Sequence, residues 1–196
     1  MPPLADDALL PFVLAFGALL LGWYVVGNEV MRRRAAALAL WSKRVVDPMG
    51  GRQAVRWLTP QSFRLEVDDP RPPYRRASIT GLTESLDVPI VWLWNRRRGR
   101  RDMVLLQLSL RDQPRWGLEL FRPLSLLAGD ARHSAGQEGW SEQPLGEQRQ
   151  HLVRLSVRRR ETHLALALNV PDHARLSPER CFELVERLGA EILRTS

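Results

Sequence analysis

Side chains that could catalyse a reaction or bind a metal are few in this chain. Its 196 residues include one cysteine and four histidines, and no metal-ligand spacing relates the histidines to one another. A structural zinc site needs several thiolate or imidazole ligands at short spacing, so the sequence predicts neither a metal nor another cofactor. The histidines are His133, His151, His163 and His173.

Cys181 is the only thiol and therefore the first candidate for a nucleophile. Paired with a histidine, a thiol can attack a substrate. Cys181 falls, however, on the apolar stripe of a predicted C-terminal helix, where a cysteine usually acts as a small inert hydrophobe. The acidic pairs, Asp68 with Asp69 and Glu84 with Asp87, stand beside Pro or Ser, as turn-forming residues do. We therefore predict no catalytic residue, and the interpretation leans away from an enzyme.

Two arginine clusters remain as candidate binding residues. The first is RPPYRR at residues 71–76, where the prolines would hold the turn extended. The second is RRRGRR at residues 96–101, which we place at a hairpin tip because Gly99 permits a tight turn. Like charges this close repel one another, so an anionic partner is a reasonable inference. The candidate contacts are Arg71, Arg75, Arg76, Arg96, Arg97, Arg98, Arg100 and Arg101, and a weaker run lies at residues 158–160.

The net charge of +7 supports this inference only in part. Of the 29 basic residues, 28 are arginine, a bias typical of GC-rich coding sequences. The distribution is more informative, because residues 35–126 carry 16 basic and 9 acidic residues whereas the segments on either side are neutral. Lipid headgroups, an acidic protein or nucleic acid could supply the anion, and a solvated tip without a partner is the alternative.

The segment from Ala8 to Asn28 contains no charged side chain. As an α-helix, Ala8–Val26 would rise about 28 Å, close to the thickness of a bilayer core of about 30 Å. The sequence therefore predicts a transmembrane helix over residues 8–27, with Trp23 and Tyr24 near its interfacial end. A cleaved signal peptide and a buried core helix are the alternatives. The leading sequence MPPLADD, without Lys or Arg, disfavours a signal peptide.

The charged flanks of this segment predict its orientation. Residues 1–7 carry no Lys or Arg, whereas Arg32, Arg33 and Arg34 follow the apolar run. Because positive flanks stay in the cytoplasm, we expect a short translocated N-terminus and a cytoplasmic C-terminal domain. The chain would then be a single-pass protein of the cell (inner) membrane.

Residues 28–51 are interpreted as a basic juxtamembrane helix and linker. Leu38, Trp41 and Val45 recur at helical spacing over Met31–Val46, and DPMGG at residues 47–51 ends the helix. This apolar stripe would pack on the domain that follows. Alternatively, the helix lies on the lipid headgroups with Trp41 at the interface.

From Val55 onward the apolar period changes from helical to two, which predicts β-strands. The connections are short, and this favours antiparallel neighbours. One long break, residues 128–150, is rich in Gly, Gln, Glu and Ser and predicts a flexible surface loop. About seven to eight strands are expected, from candidates at residues 55–58, 63–67, 77–82, 89–95, 104–110, 116–120, 153–157 and 164–170.

The chain is predicted to end on a helix at residues 178–194, with Ser177 as its N-cap. Its apolar stripe must pack against the sheet. A mostly antiparallel β-meander closed by a C-terminal helix, over residues 52–196, resembles the pleckstrin-homology-like architecture in element order. That resemblance implies a bent sheet capped by the helix and fixes no activity. The stripe consists of Cys181, Leu184, Val185, Leu188 and Ile192.

These expectations describe an anchored α+β domain that acts as a non-enzymatic adaptor or assembly module at the cytoplasmic membrane face. The expected partners are the membrane itself, anionic lipid headgroups and a protein. Nucleic acid is disfavoured, because Trp92 and Trp94 alternate onto one predicted strand face and suit a core better than a stacking platform. A nucleic-acid-binding protein and an enzyme with a dispersed site remain the alternatives.

Overall fold

The structure, a computed structural model, describes residues 6–84, 86, 88–97, 102–114, 118–121, 151–157, 162–170 and 176–194. The predicted loop at 128–150 and the arginine run at 158–160 lie outside these ranges. The helices are α1 (Asp6–Val46), α2 (Pro89–Arg97) and α3 (Pro178–Arg194), with a 3-10 turn at Asp47–Met49. The strands are β1 (Arg52–Thr59), β2 (Ser62–Asp68), β3 (Tyr74–Leu82), β4 (Met103–Leu110), β5 (Leu118–Phe121), β6 (Leu152–Val157) and β7 (His163–Asn169).

Helix α1 is continuous over 41 residues, and its first half is apolar and uncovered. Its most apolar stretch is not buried at all, so the interpretation as a buried core helix is wrong. By length and composition this helix could cross a membrane, and it is the one such helix among the described residues. Pro11 stands in its second turn and therefore removes one backbone hydrogen bond near the helix start.

The second half of α1 belongs to the core of the domain. Leu38, Trp41 and Val45 are at most 4% exposed, and the Trp41 indole N–H donates a hydrogen bond of 2.8 Å to the carbonyl of Leu176. The alternative in which this stripe lies on lipid headgroups is therefore wrong. Helix α1 ends at the predicted place. The 3-10 turn and Gly50, which has a φ of 69°, follow Val46.

The strands form one antiparallel sheet in the order β1-β2-β3-β4-β7-β6-β5, which confirms the predicted antiparallel pairing. The first four strands are consecutive neighbours. The chain then passes to the opposite edge and returns through β5 and β6, so that β7 pairs with β4. The order is thus two meanders joined at β4 and β7, with β1 and β5 at the edges among the described residues.

One face of the sheet carries the core. A row of directly paired residues crosses its five central strands, and each is at most 1% exposed. Burying each such side chain contributes about 1.5–3 kcal/mol. Helices α1 and α3 supply the covering layer, with the predicted α3 stripe fully buried and the Ser177 hydroxyl accepting the Arg180 N–H at 3.2 Å. The row consists of Leu65, Ile79, Leu106, Leu166 and Leu155.

The predicted strand at residues 89–95 is wrong, because this segment forms helix α2. Strand β3 pairs directly with β4, Leu82 lying opposite Met103, so the sheet has no place for a strand between them. The Trp92 N–H bonds to the Val88 carbonyl at 2.9 Å, which is the first turn of a helix beginning at Pro89. The hairpin tip predicted at residues 96–101 is consequently also wrong: Arg97 ends a helix.

Candidate binding residues lie at two ends of the sheet. At the first, called here the anchor end, β3 ends and β4 begins beside Arg34 of α1. At the second, called the far end, β2 ends and β3 begins, and the Arg71 N–H bonds to the carbonyl of Met49 at 2.8 Å. Because α1 rises 1.5 Å per residue, the two ends are separated by about 22 Å along the helix from Arg34 to Met49.

Candidate functional site

Cys181 is placed where it cannot act as a nucleophile. It is fully buried in the α3 stripe, and burial raises the pKa of its thiol to about 12. A thiol with so high a pKa holds almost no thiolate at neutral pH, and the thiolate is the reactive form. Within the described residues, no three His, Cys, Asp or Glu side chains come together in a way that could hold a metal ion.

The acidic residues at the far end take part in ion pairs. Asp68 Oδ1 lies 3.2 Å from Nε of Arg76, and Asp69 Oδ1 lies 3.7 Å from a guanidinium nitrogen of Arg111. Asp69 also has a φ of 54°, the left-handed conformation that Asp tolerates in turns. Asp69 thus lies in a turn, as the sequence predicted, whereas Asp68 is the last residue of β2.

Trp23 and Tyr24, predicted to lie at the interface, have different surroundings. Tyr24 is 58% exposed. The Trp23 indole N–H donates to the Leu86 carbonyl at 2.9 Å, and its ring lies 6.3 Å from that of Trp92 between centroids. Gly27 also lies beside Leu86, where even a Cβ would meet the Leu86 carbonyl oxygen at an ordinary contact distance of 3.4 Å. The segment that leads into α2 is thus docked on the last turns of the apolar part of α1.

The three arginines predicted to flank the anchor also differ in their surroundings. Arg32 is exposed, and Arg33 Nε lies 2.8 Å from the Glu29 carboxylate on the same helix face. Arg34 instead reaches Asp102, with 2.9 Å between Nη2 and Oδ2, and the Asp102 side chain is only 5% exposed. Sequence reasoning missed Asp102, because nothing in the local pattern links residues 68 positions apart.

A groove of about 860 Å³ opens at the anchor end between α1 and the edge strand β1. Arg32 and Arg33 line one wall, and Trp57 and Leu58 line the other. Trp57 is 50% exposed although it lies on the core face of the sheet, because the helices cover the strands from β2 onward but not β1. The pairing with the buried Phe63 places this tryptophan on the core face, and the packing of the helices leaves it uncovered.

A second, polar groove of about 560 Å³ lies at the far end. Arg52, Arg75 and Arg76 line it, together with His163 of β7. A register shift between Tyr74 and Arg76 lets the two consecutive arginines both be exposed, where a regular strand would point one of them inward. The structure thus joins a predicted cluster to Arg52, a residue that sequence reasoning did not select.

The described members of the two predicted arginine clusters lie at opposite ends of the domain. Arg71 is exposed beside Gly50 at the far end, in the same region as Arg75 and Arg76. Arg97 is exposed at the end of α2, which packs against Trp23 at the anchor end. Arg98, Arg100, Arg101 and the side chain of Arg96 lie outside the described part of the chain. One surface therefore cannot collect all of these arginines.

Comparison of the sequence with protein-family profiles finds no match. Comparison with curated proteins likewise finds no significant match.

Proposed function

We propose that this chain is a single-pass membrane protein whose cytoplasmic domain is a non-enzymatic interaction module. The observation that carries the proposal is the division of α1 into two halves. The first is apolar and uncovered, and the second, around Leu38, Trp41 and Val45, is embedded in the core. A bilayer would cover the first half, and the continuous helix would hold the domain against the membrane surface.

The charge distribution supports the same topology. Arg32 and Arg33 are exposed just beyond the apolar segment, where a cytoplasmic flank requires positive charge. Arg34 is engaged by Asp102 and contributes less to that flank. Arg97 is exposed at the same end of the domain, so anionic headgroups are its nearest binding partners in this topology, each such contact contributing about 1 kcal/mol.

The far end is the better place for a protein partner. Arg52, Arg71, Arg75 and Arg76 are exposed there, more than 20 Å from the anchor end by the length of α1 estimated at about 1.5 Å per residue. This groove faces away from the leaflet in the proposed topology. An acidic protein segment fits it best, because the groove is polar and its three arginines outnumber the two aspartates, Asp68 and Asp69, that also line it. Nucleic acid is the weaker alternative, since Tyr74, the aromatic residue beside these arginines, is only 2% exposed and cannot stack on a base.

Two measurements test the proposal. The full chain should stay in the membrane fraction after alkaline carbonate extraction and should be released by detergent. Crosslinked partners recovered with the full chain should be lost when Arg71, Arg75 and Arg76 are changed to Gln together. The matched control removes the same charge from exposed residues elsewhere, through Arg44→Gln, Arg56→Gln and Arg187→Gln. Release by carbonate would contradict the anchor, and equal loss of partners in both variants would contradict the far-end site.

A further inference from the structure

Helix α2 exposes four large apolar side chains to solvent. Ile90 is 80% exposed, and Val91, Leu93 and Trp94 are 47–56% exposed. With 3.6 residues per turn, these side chains share one arc of about 160° around the helix. Trp92 lies on the opposite side, against Trp23. An apolar arc of this kind on a short helix is typical of a binding surface.

The depth of α2 along the anchor follows from three contacts. The Leu86 N–H lies 3.1 Å from the sulfur of Met31, the Leu86 carbonyl accepts the Trp23 indole N–H, and Trp92 packs against Trp23. The distance from Met31 to Trp23 along the helix axis is about 12 Å, at 1.5 Å per residue. The chain thus runs along α1 toward the apolar half, and α2 is held at the level of Trp23, inside the uncharged segment.

We propose that α2 is an interfacial helix that inserts its apolar arc into the same leaflet that α1 crosses. The proposal rests on the anchoring of α1 proposed above. Lipid is the occupant, because contact with Trp23 holds the arc at the depth of the exposed apolar surface of α1 around Tyr24 and Val26. Such helices bury their apolar face about 5–10 Å into the boundary between headgroups and acyl chains. Trp94 and Arg97 suit that boundary, the ring below the headgroups and the guanidinium among them.

The consequence for the domain is attachment at two points. A single transmembrane helix allows a domain to tilt and to rotate about the helix axis. A second element in the leaflet, fixed to the first through Trp23, restricts both motions. The α1–β1 groove would then stay beside the headgroups, and Arg75 and Arg76 would stay turned toward the cytoplasm.

Spin labels on single cysteines of the full chain in phosphatidylcholine–phosphatidylglycerol vesicles test this inference. The background is Cys181→Ala, and the test positions are Ile90→Cys and, as a second site on the arc, Leu93→Cys. Leu19→Cys, in the apolar half of α1 and 68% exposed, is the lipid reference. Leu40→Cys is the aqueous reference of matched type, 63% exposed and about 18 Å beyond Asn28 at 1.5 Å per residue.

The readout is the collision rate with oxygen, which concentrates in lipid, relative to that with a water-soluble nickel complex. We expect a ratio at positions 90 and 93 close to that at position 19 and several-fold above that at position 40. A ratio at both test positions equal to that at position 40, with position 19 in lipid, would overturn the interfacial helix and leave the anchor intact. Water exposure at position 19 would overturn the anchor, and the interfacial helix with it.

Discussion

Arg34 and Asp102 form an ion pair of 2.9 Å that joins helix α1 to the sheet. Asp102 stands directly before β4, and its other carboxylate oxygen accepts the backbone N–H of Glu84 at 2.9 Å. Its backbone carbonyl accepts the N–H of Val170, at the end of β7. This one residue therefore connects α1, β4, the end of β7 and the segment that leads to α2, and it fixes how the anchor meets the domain.

We expect Asp102→Asn to destabilise the full chain in detergent micelles by about 1–3 kcal/mol, because Arg34 then loses a partner that is buried from water. The loss should be at the low end for a buried pair, since 29% of the Arg34 side chain remains hydrated. Urea unfolding followed by circular dichroism measures it. Asp112→Asn is the matched control at an exposed position, and equal effects of the two changes would contradict the role of Asp102.

Gly189→Ala should destabilise the domain although alanine favours a helix over glycine by about 1 kcal/mol. A Cβ at this position would overlap the Tyr74 hydroxyl and lie 3.0 Å from the ring carbon that carries it. Tyr74 cannot yield easily, since its hydroxyl donates to the Val185 carbonyl at 2.7 Å. The penalty should shrink in a Tyr74→Phe background. Gly22→Ala, with open space around it, is the control, and a stabilised Gly189→Ala variant would refute the close packing.

Leu188→Asp should unfold or strongly destabilise the domain, by several kcal/mol, because it places an unpaired charge in the apolar layer between α3 and the sheet. Leu188 is 1% exposed. Arg187→Asp introduces the same side chain at the neighbouring exposed position and should cost less than about 1 kcal/mol. Thermal melts of the two variants in the same detergent should differ clearly, and similar melting would mean that α3 is not docked as described.

Stability should fall at alkaline pH through Cys181 and Tyr74. Burial raises the pKa of the thiol to about 12 and raises the pKa of the Tyr74 hydroxyl well above its usual range, with the Glu186 charge adding to the latter. The unfolded chain releases these protons at about pH 8.5 and 10. The contribution of these two groups to the free energy of unfolding should thus be fully present below about pH 8 and decline as the pH rises above it. Urea midpoints at several pH values test this, and Cys181→Ala should flatten the first part of the decline.

The proposed topology predicts the behaviour of fusion reporters. A reporter that is active only outside the cytoplasm should be silent after Ser196, because the positive flank keeps the C-terminal domain inside. The same reporter placed before residue 1 should be active. The opposite pattern would reverse the orientation. N-terminal sequencing of the mature chain should still find the apolar segment, whereas a start near Ala35 would show a cleaved signal peptide.

Sequence reasoning succeeded for elements whose signal is local. In three elements, the spacing of apolar residues a few positions apart predicts which side chains are buried. These elements are the stripe of Leu38, Trp41 and Val45, the capped helix that begins after Ser177, and the strands with a period of two. Each of these patterns has a single geometric solution, since a helix or a strand with one apolar face must turn that face to the core.

The failure at residues 89–95 has the opposite cause. The run PIVWLW is apolar on all sides, so its period does not separate a strand from a helix. The direct pairing of β3 with β4 decided the matter by excluding a strand there, and contact with Trp23 placed the helix beside the anchor.

For the candidate surfaces, too, the sequence predicted some features and the tertiary structure determined others. Composition and charge runs alone selected Arg75, Arg76 and Arg97 as exposed cations. Their separation to opposite ends of the domain, the pairing of Arg34 with Asp102 and the uncovered Trp57 come from the tertiary structure. Each depends on segments far apart in the chain that meet only when the sheet closes. A local pattern does not predict such contacts, because they depend on loop closure and strand order and not on the spacing of neighbouring residues.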